Sequence, residues 1–312
     1  MTIGPLRFLC SACLALALAW AGPTAAEGAP GVAVVLGERA NAYLEILDIL
    51  RKAVGPDSAS GAEVLALGWH ELAQLPRGEK LIVAVGARAL EALAATEPSA
   101  PVLACLLPKA TFERIMENHH GVRQFSAIFM DQPPARQLDL LRLALPERRR
   151  VLALTGPESR GPAKQFPAIA AERGLHMNMQ YIASEAGLYS ALQRGLGEAD
   201  LLLALPDPSI YNDHTISDIL LTAYRYKVPV IGFSLAYVRA GALMALYSST
   251  VQVGVQVAEV AREVLDGHPL PPPQYPKEFT IGINDYVARS LGIRLDDEAE
   301  LRGRLHQLEH HP

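Results

Sequence analysis

The chain is poor in cysteine. It has three in 312 residues, and two of them, Cys10 and Cys13, fall within the first 26. Without that stretch only Cys105 remains. One thiol makes no disulfide framework, so the fold has to be held by its core. Aromatic residues are few, at 6%. Positive charge is not in excess either: Lys and Arg number 28 against 33 Asp and Glu, for a formal net charge of −5. That mild acidity argues against a nucleic-acid partner. Arg148-Arg149-Arg150 is the one basic run. It follows Pro146, precedes an apolar strand and reads as a solvated turn. Beyond the N-terminal stretch, no segment reaches transmembrane length without a charge or a proline.

Motifs for catalysis and cofactor binding are missing as well. Gly156 to Gly161 has the first half of the phosphate-loop spacing, but Pro162 stands where Lys is required. Gly86 lies between a strand and a helix, yet no G-x-G-x-x-G surrounds it. Gly232-Phe233-Ser234-Leu235-Ala236 lacks the second Gly of a nucleophile elbow, so Ser234 reads as a hydrogen-bonding residue, not a nucleophile. The nine histidines form no H-E-x-x-H and no zinc spacing with cysteine. The expectation is a protein with no cofactor, no metal and no catalytic residues.

What is present begins at the N-terminus. Arg7 supplies a positive start, Phe8 to Trp20 an apolar run broken only by Ser11, and Thr24-Ala25-Ala26 an A-x-A-like cleavage signal. This three-part layout predicts a signal peptide over residues 1–26 and a mature chain from about Glu27, released into the periplasm. The run is short for a membrane span, which takes roughly 20 residues. Cys10 and Cys13 start the run, whereas a lipid-attachment cysteine follows it. Loss of Arg7 takes the formal charge from −5 to −6.

The mature chain repeats a unit of short apolar run, Gly/Pro/polar turn and helical period. Strands are predicted at Val32–Leu36, Glu63–Leu67, Leu81–Val85, Val102–Leu107 and Phe125–Met130. A second series follows at Val151–Thr155, Met177–Ile182, Leu201–Leu205 and Val228–Gly232. The runs are continuous, as in strands buried on both faces, so the sheets should be mainly parallel and flanked by helices. Two successive blocks predict an α/β protein of two Rossmann-like, doubly wound lobes. A third short block, with a strand at Ala242–Ser248, a helix at Gln252–Asp266 and a strand at Phe279–Ile283, reads as chain crossing back. Lobe 1 is expected at 27–131 plus 243–272, and lobe 2 at 132–242 plus 273–312. Gly267 to Pro273 reads as a stiff exposed linker, and Glu298 to Pro312 as a polar terminal helix or frayed tail.

In open α/β sheets ligands bind beyond the carboxyl ends of the strands. The first block places Glu38, Tyr43, Gly86, Ala87, Arg88, Lys109 and Asp131 there. The second places Ser159, Ser184, Asp207, Ser209, Phe233, Ser234 and Tyr237. A surface loop accounts for any one of them; as a set facing one cleft they read as a site for a small molecule. Gly86 to Arg88 open a helix, so their N–H groups suit a carboxylate. Asp207 suits an ammonium, unless it only caps the turn before Pro208. Tyr43, Phe233 and Tyr237 suit an apolar wall. All but Asp131 make up the predicted ligand site.

These segments resemble the ABC-transporter substrate-binding family that includes bacterial tryptophan-binding receptors. The similarity is strongest from Val228-Pro229-Val230-Ile231-Gly232-Phe233-Ser234 through Tyr237 to Leu243, and continues at Val253-Gly254-Val255-Gln256. Leu81 to Gly86, Leu205-Pro206-Asp207 and Asp131 to Leu138 resemble the family too. Ala87 departs from a Thr common after the third strand, and Pro206 to Ser209 from a P-T-D-N-like turn. The resemblance implies a type I periplasmic-binding-protein fold. It also implies capture of a small molecule, such as an amino acid, between two lobes for an inner-membrane ABC permease. The alternative is a periplasmic sensor that docks, ligand-bound, on a membrane kinase or receptor; a hydrolase on the same fold is more remote. The protein is expected to be a monomer and not an enzyme.

Overall fold

A computed structural model describes residues 31–310 apart from 118 and 120–123. The predicted signal peptide lies outside the described residues. The chain runs β1 (Val32–Leu36), α1 (Asn41–Val54), β2 (Val64–Gly68), β3 (Leu81–Val85), α2 (Ala87–Thr96), β4 (Val102–Cys105), α3 (Lys109–Glu117) and β5 (Phe125–Ile128). It then crosses to α4 (Pro134–Ala144), β6 (Arg150–Thr155), α5 (Arg160–Ala163), α6 (Phe166–Glu172), β7 (His176–Tyr181), α7 (Glu185–Leu196) and β8 (Leu201–Leu203). Next come α8 (Ile216–Arg225), β9 (Val230–Gly232), α9 (Leu235–Ala240), β10 (Met244–Tyr247), α10 (Thr250–Leu265), β11 (Thr280–Ile283), α11 (Asp285–Leu291) and α12 (Glu298–His310).

Two sheets result. The first is ordered β2-β1-β3-β4-β5 and is parallel throughout. The second is ordered β11-β10-β9-β8-β6-β7, parallel except for the antiparallel edge strand β11. Fully buried β1 and β3, each five apolar residues with no polar interruption, are what helices on both faces require. One face of the first sheet packs under α1 and α10, through Ile46, Leu50, Val253 and Val257. The other packs under α2 and α3, through Leu90, Leu93 and Phe112.

Two expectations change. Met244–Tyr247 was placed in the first lobe but pairs with β9 and β11 in the second sheet. The return crossing therefore falls at Ser248-Ser249. There Ser249 and Gln252 cap α10 reciprocally: Ser249 Oγ accepts from Gln252 N at 3.2 Å, and Ser249 N donates to Gln252 Oε1 at 2.8 Å. The continuous helix over Pro162–Arg173 is instead α5 and α6, parted at Lys164-Gln165. For the C-terminal segment the structure gives the helix of the two readings: Leu301 and Leu305 of α12 are fully buried in the second lobe's core.

The chain passes between the sheets three times, at about 129–133, 248–249 and 266–279. Arg136 on α4 binds the crossings together. Its guanidinium, only 6% exposed, pairs with Glu309 of α12 at 2.5 and 3.1 Å and donates to Gln132 Oε1 at 2.8 Å and Pro276 O at 2.9 Å. It also lies 4.5 Å above the Phe279 ring. Gln132 in turn donates to Ser248 Oγ at 2.9 Å, which donates to Glu278 O at 2.6 Å. A buried guanidinium keeps its charge only when its donors are met, and here they are met by Gln132 four residues back and by two segments distant in sequence, at Pro276 and Glu309.

Candidate functional site

The carboxyl ends of both parallel sheets border one cleft. At its hinge end, α3 of the first lobe meets α5 of the second. They enclose a pocket lined by Lys109, Asp131 and Tyr275 on one side and by Ser159, Phe166 and Pro206 on the other, with Gln137 and Gln165 at its rim. The enclosed space is about 40 Å³. Sites for small molecules usually run to roughly 300–1,000 Å³, so an amino-acid-sized ligand calls for a wider arrangement of the lobes.

Asp131 ends the strand-to-crossover turn after β5. One carboxylate oxygen accepts from Lys109 N, and the other accepts nothing from any other described residue. Burial pushes its carboxyl above the ordinary range, against the pull of the Lys109 N–H. Lys109 Nζ lies 3.4 Å from Tyr275 Oη, 5.4 Å above the Tyr275 ring centre and 3.7 Å from Glu113. A carboxylate with a vacant face, an ammonium and an aromatic ring thus converge on the first-lobe wall.

Asp207 is 1% exposed and built into its own lobe. One oxygen accepts from Gly156 N at 3.0 Å, Ser159 N at 2.8 Å and Ser159 Oγ at 2.8 Å. The other accepts from Ser209 N at 3.0 Å and Ser209 Oγ at 2.6 Å. Burial pushes its pKa up, but the hydrogen bonds from Ser209 and Ser159 prevail and hold it below the ordinary value. Five donors on one carboxylate leave no face for a ligand ammonium. The expectation of Asp207 as ammonium clamp is corrected to its bland alternative, a turn cap that ties the β6 and β8 loops together. The hydroxyls of Ser159 and Ser209 are consumed by the same network. Gly156 makes room for it, since a Cβ there would lie 2.3 Å from Ser209 Oγ.

Gly86 holds φ 87°, and a Cβ there would lie 2.2 Å from Tyr43 Oη. Glycine is required both by the backbone and by the tyrosine lying against it. Gly86 N donates to Cys105 O at 2.9 Å, so the free N–H groups of α2 begin at Ala87 and Arg88. Burial, with Glu38 nearby, raises the Tyr43 pKa. Glu38 and Arg88 line a different pocket, at the ends of β1 and β2, with Trp69 and His70.

In the second lobe, Phe233 and Tyr237 pack with ring centres 4.5 Å apart, and both meet Tyr211 edge-on. Tyr237 Oη donates to Tyr211 O at 3.4 Å. Ser234 and Ser184 precede α9 and α7 without capping them by their side chains. Of the predicted residues, then, Lys109 and Ser159 share the interlobe pocket, while Glu38 and Arg88 share the other. Sequence reasoning missed Gln137, Gln165, Phe166 and Tyr275 and left Asp131 outside its ligand set. Tyr275 was hidden behind the proline tract; Asp131 was legible as the first polar residue after β5.

Comparison with known proteins agrees with this architecture. The family model for ABC transporter substrate binding protein matches residues 74–303. A search of curated proteins finds no match. Among solved structures, the chain is similar to a Streptococcus pneumonia ABC domain in complex with L-Trp, at 17% identity and TM-score 0.61, covering 87% of this chain and 97% of that one. It is also similar to the ligand-free, open structure of CD0873, a substrate-binding protein with adhesive properties from Clostridium difficile. That match has 15% identity and TM-score 0.67, covering 86% and 96%. A periplasmic ribose ABC transporter protein from Conexibacter woesei matches at 14% identity and TM-score 0.53, covering 88% and 98%. The fold is that of type I periplasmic binding proteins, and the chain belongs to the ABC transporter substrate-binding protein family.

Proposed function

We propose that this protein works outside the cytoplasm, after loss of residues 1–26, as a monomeric receptor that hands an amine-bearing small molecule to an ABC permease. The observation that carries the ligand class is Asp131: a half-buried carboxylate at the cleft with one oxygen unoccupied. An ammonium placed against it regains the charge-assisted hydrogen bond that burial withholds. Lys109 lies close enough to receive an anionic group of the same ligand, and Tyr275, Phe166 and Pro206 offer apolar walls. The Streptococcus protein bound to L-Trp supports a zwitterion with an apolar body. Among the described residues no nucleophile–base pair accompanies these groups, which favours carriage over turnover.

Native mass spectrometry of protein purified without refolding should show a retained small molecule, or calorimetry against the twenty amino acids should find one that binds. Asp131→Asn should then weaken that binding by about tenfold or more, since a hydrogen bond to a charged group contributes roughly 1.5–3 kcal/mol. Its effect on unliganded stability should run the other way. A carboxyl whose folded-state pKa lies above its unfolded value costs stability once pH exceeds both, and the Asn variant escapes that cost. Equal affinity of the variant and parent would remove Asp131 from the site.

A further inference from the structure

We propose that the second lobe carries, at the end remote from the cleft, a surface that docks on a membrane of anionic phospholipid. The carboxyl ends of the strands border the cleft, so the turns that enter the strands stand at the opposite end of the lobe. Helices α7 and α8 pack on one face of the second sheet and against each other, through Leu188, Leu192, Ile219 and Ala223. They deliver the chain into β8 and β9, which are hydrogen-bonded neighbours. The last turns of both helices therefore come to the same end, beside the start of β6.

The end of α8 alternates ring and cation, as Tyr224, Arg225, Tyr226 and Lys227. Leu221, one turn earlier, is 49% exposed, Tyr224 48% and Tyr226 43%. Apolar bodies with polar tips, flanked by Lys and Arg, suit the boundary between water and lipid. The backbone that carries them is tied down. Lys227 N donates to Tyr224 O at 2.9 Å and Val228 N to Ala223 O at 3.0 Å, which closes the helix end. That closure puts Lys227 at φ 55°, in the left-handed region, where glycine is the residue without steric cost. The chain keeps a cation at a position whose backbone favours glycine.

Charge favours an anionic partner. Arg194 in the last turn of α7, Arg225 in the last turn of α8 and Lys227 make no ion pair or side-chain hydrogen bond with another described residue. Cations at helix C-termini suit the helix dipole, but that role calls for no exposed rings beside them. The acids of this end are outnumbered. Asp200 is held by the Arg150 side chain and by the N–H groups of Arg149 and Arg150, and its carbonyl by Arg148. Along the turns that enter β6, β8 and β9, Glu147 and Glu198 then stand against Arg149, Arg194, Arg225 and Lys227. A local positive excess on a chain of formal charge −5 turns that end toward an anionic surface. The cleft, at the other end of the lobe, stays clear of the membrane and free to move.

Co-sedimentation of the processed protein with vesicles tests this. Phosphatidylcholine vesicles with about one part in four of phosphatidylglycerol should carry the protein down, and phosphatidylcholine alone should bind it at least about tenfold more weakly. NaCl at about 0.5 M should release it, because screening shortens the reach of surface charge. Lys227→Gly should weaken vesicle binding about fivefold without lowering the unfolding temperature, since glycine suits the left-handed position. Arg194→Gln, on the other helix, should weaken it by a similar factor. Asp131→Asn should bind vesicles within about twofold of the parent, so that this surface and the interlobe site fail separately. Every variant keeps the N-terminal sequence, so a difference in binding comes from the lobe. Equal binding to neutral vesicles, retention in high salt, or a Lys227→Gly variant that melts earlier yet binds vesicles as the parent does would overturn the proposal.

Discussion

Asp207 and Asp131 are both acids at strand ends, yet their surroundings assign them opposite tasks. Asp207 accepts five hydrogen bonds, which sets its pKa below the ordinary value, so its stabilising effect is present at neutral pH and lost as pH falls through the folded-state pKa. Asp207→Ala should lower urea-unfolding stability at pH 7 by roughly 2–4 kcal/mol and leave ligand affinity within about twofold. A stable variant with lost binding would return Asp207 to the site. Asp200 offers a cleaner pH readout. The Arg150 side chain, at 2.7 Å, and the N–H groups of Arg149 and Arg150 hold its carboxyl at about 2, below its usual 3.8. Its contribution is complete above the unfolded value and disappears as pH falls toward 2. Asp200→Asn should cost about 1 kcal/mol at pH 7, the value being modest because Arg150 is exposed, and progressively less as pH falls through 2. A pH-independent difference would contradict this origin.

At the scale of elements, the strands were readable because continuous apolar runs of four to six residues have one use in a chain with helices between them. Helices α1, α8 and α10 announced themselves by their apolar faces. Helix α3 and helix α9 did not. Each follows a strand end within a few residues and is short, and a six- to nine-residue helix carries too little periodicity to be told from loop. Helix α12 was visible as polar sequence, but its docking was not: Leu301 and Leu305 are buried by the second sheet's far end, and Glu309 by Arg136. Breaking the Arg136–Glu309 pair should therefore cost more than its place near the C-terminus suggests. Glu309→Ala leaves a buried guanidinium short of its charge partner and should destabilise by about 2 kcal/mol, toward the low end for such pairs because Glu309 is 23% exposed. Arg136→Met in the same background should restore part of the loss, and a double-mutant cycle in thermal unfolding checks both.

For the whole molecule, the small interlobe space means that binding and lobe movement are linked. A ligand of amino-acid size enters an opened form and is enclosed again, so it stabilises the closed arrangement by its differential affinity for it. Small-angle scattering should show a smaller radius of gyration with the cognate ligand than without, and Asp131→Asn should blunt the change at equal ligand concentration. An identical radius in both states would mean that the cleft does not close on its ligand. Among the described residues, the three crossings tied by Arg136, Gln132 and Ser248 are the covalent paths between the sheets, and so the segments about which such motion turns.

The sequence alone determined the fold class and the two strand–helix blocks, because hydrophobic period and the succession of elements along the chain are local properties. It also excluded cofactor loops by their missing residues. Tertiary structure decided which polar residues at the carboxyl ends of the strands are free. Gly156, Ser159 and Ser209 come from loops up to 53 positions apart and close on Asp207, whereas Asp131 accepts from the N–H of Lys109 and its own N–H and from no side chain among the described residues. Along the chain Asp207 is marked only by Pro208 and Ser209, whose N–H and hydroxyl supply two of its five donors. A carboxylate's availability depends on how many donors the fold brings to it, and those donors arrive from strands that are adjacent only in space.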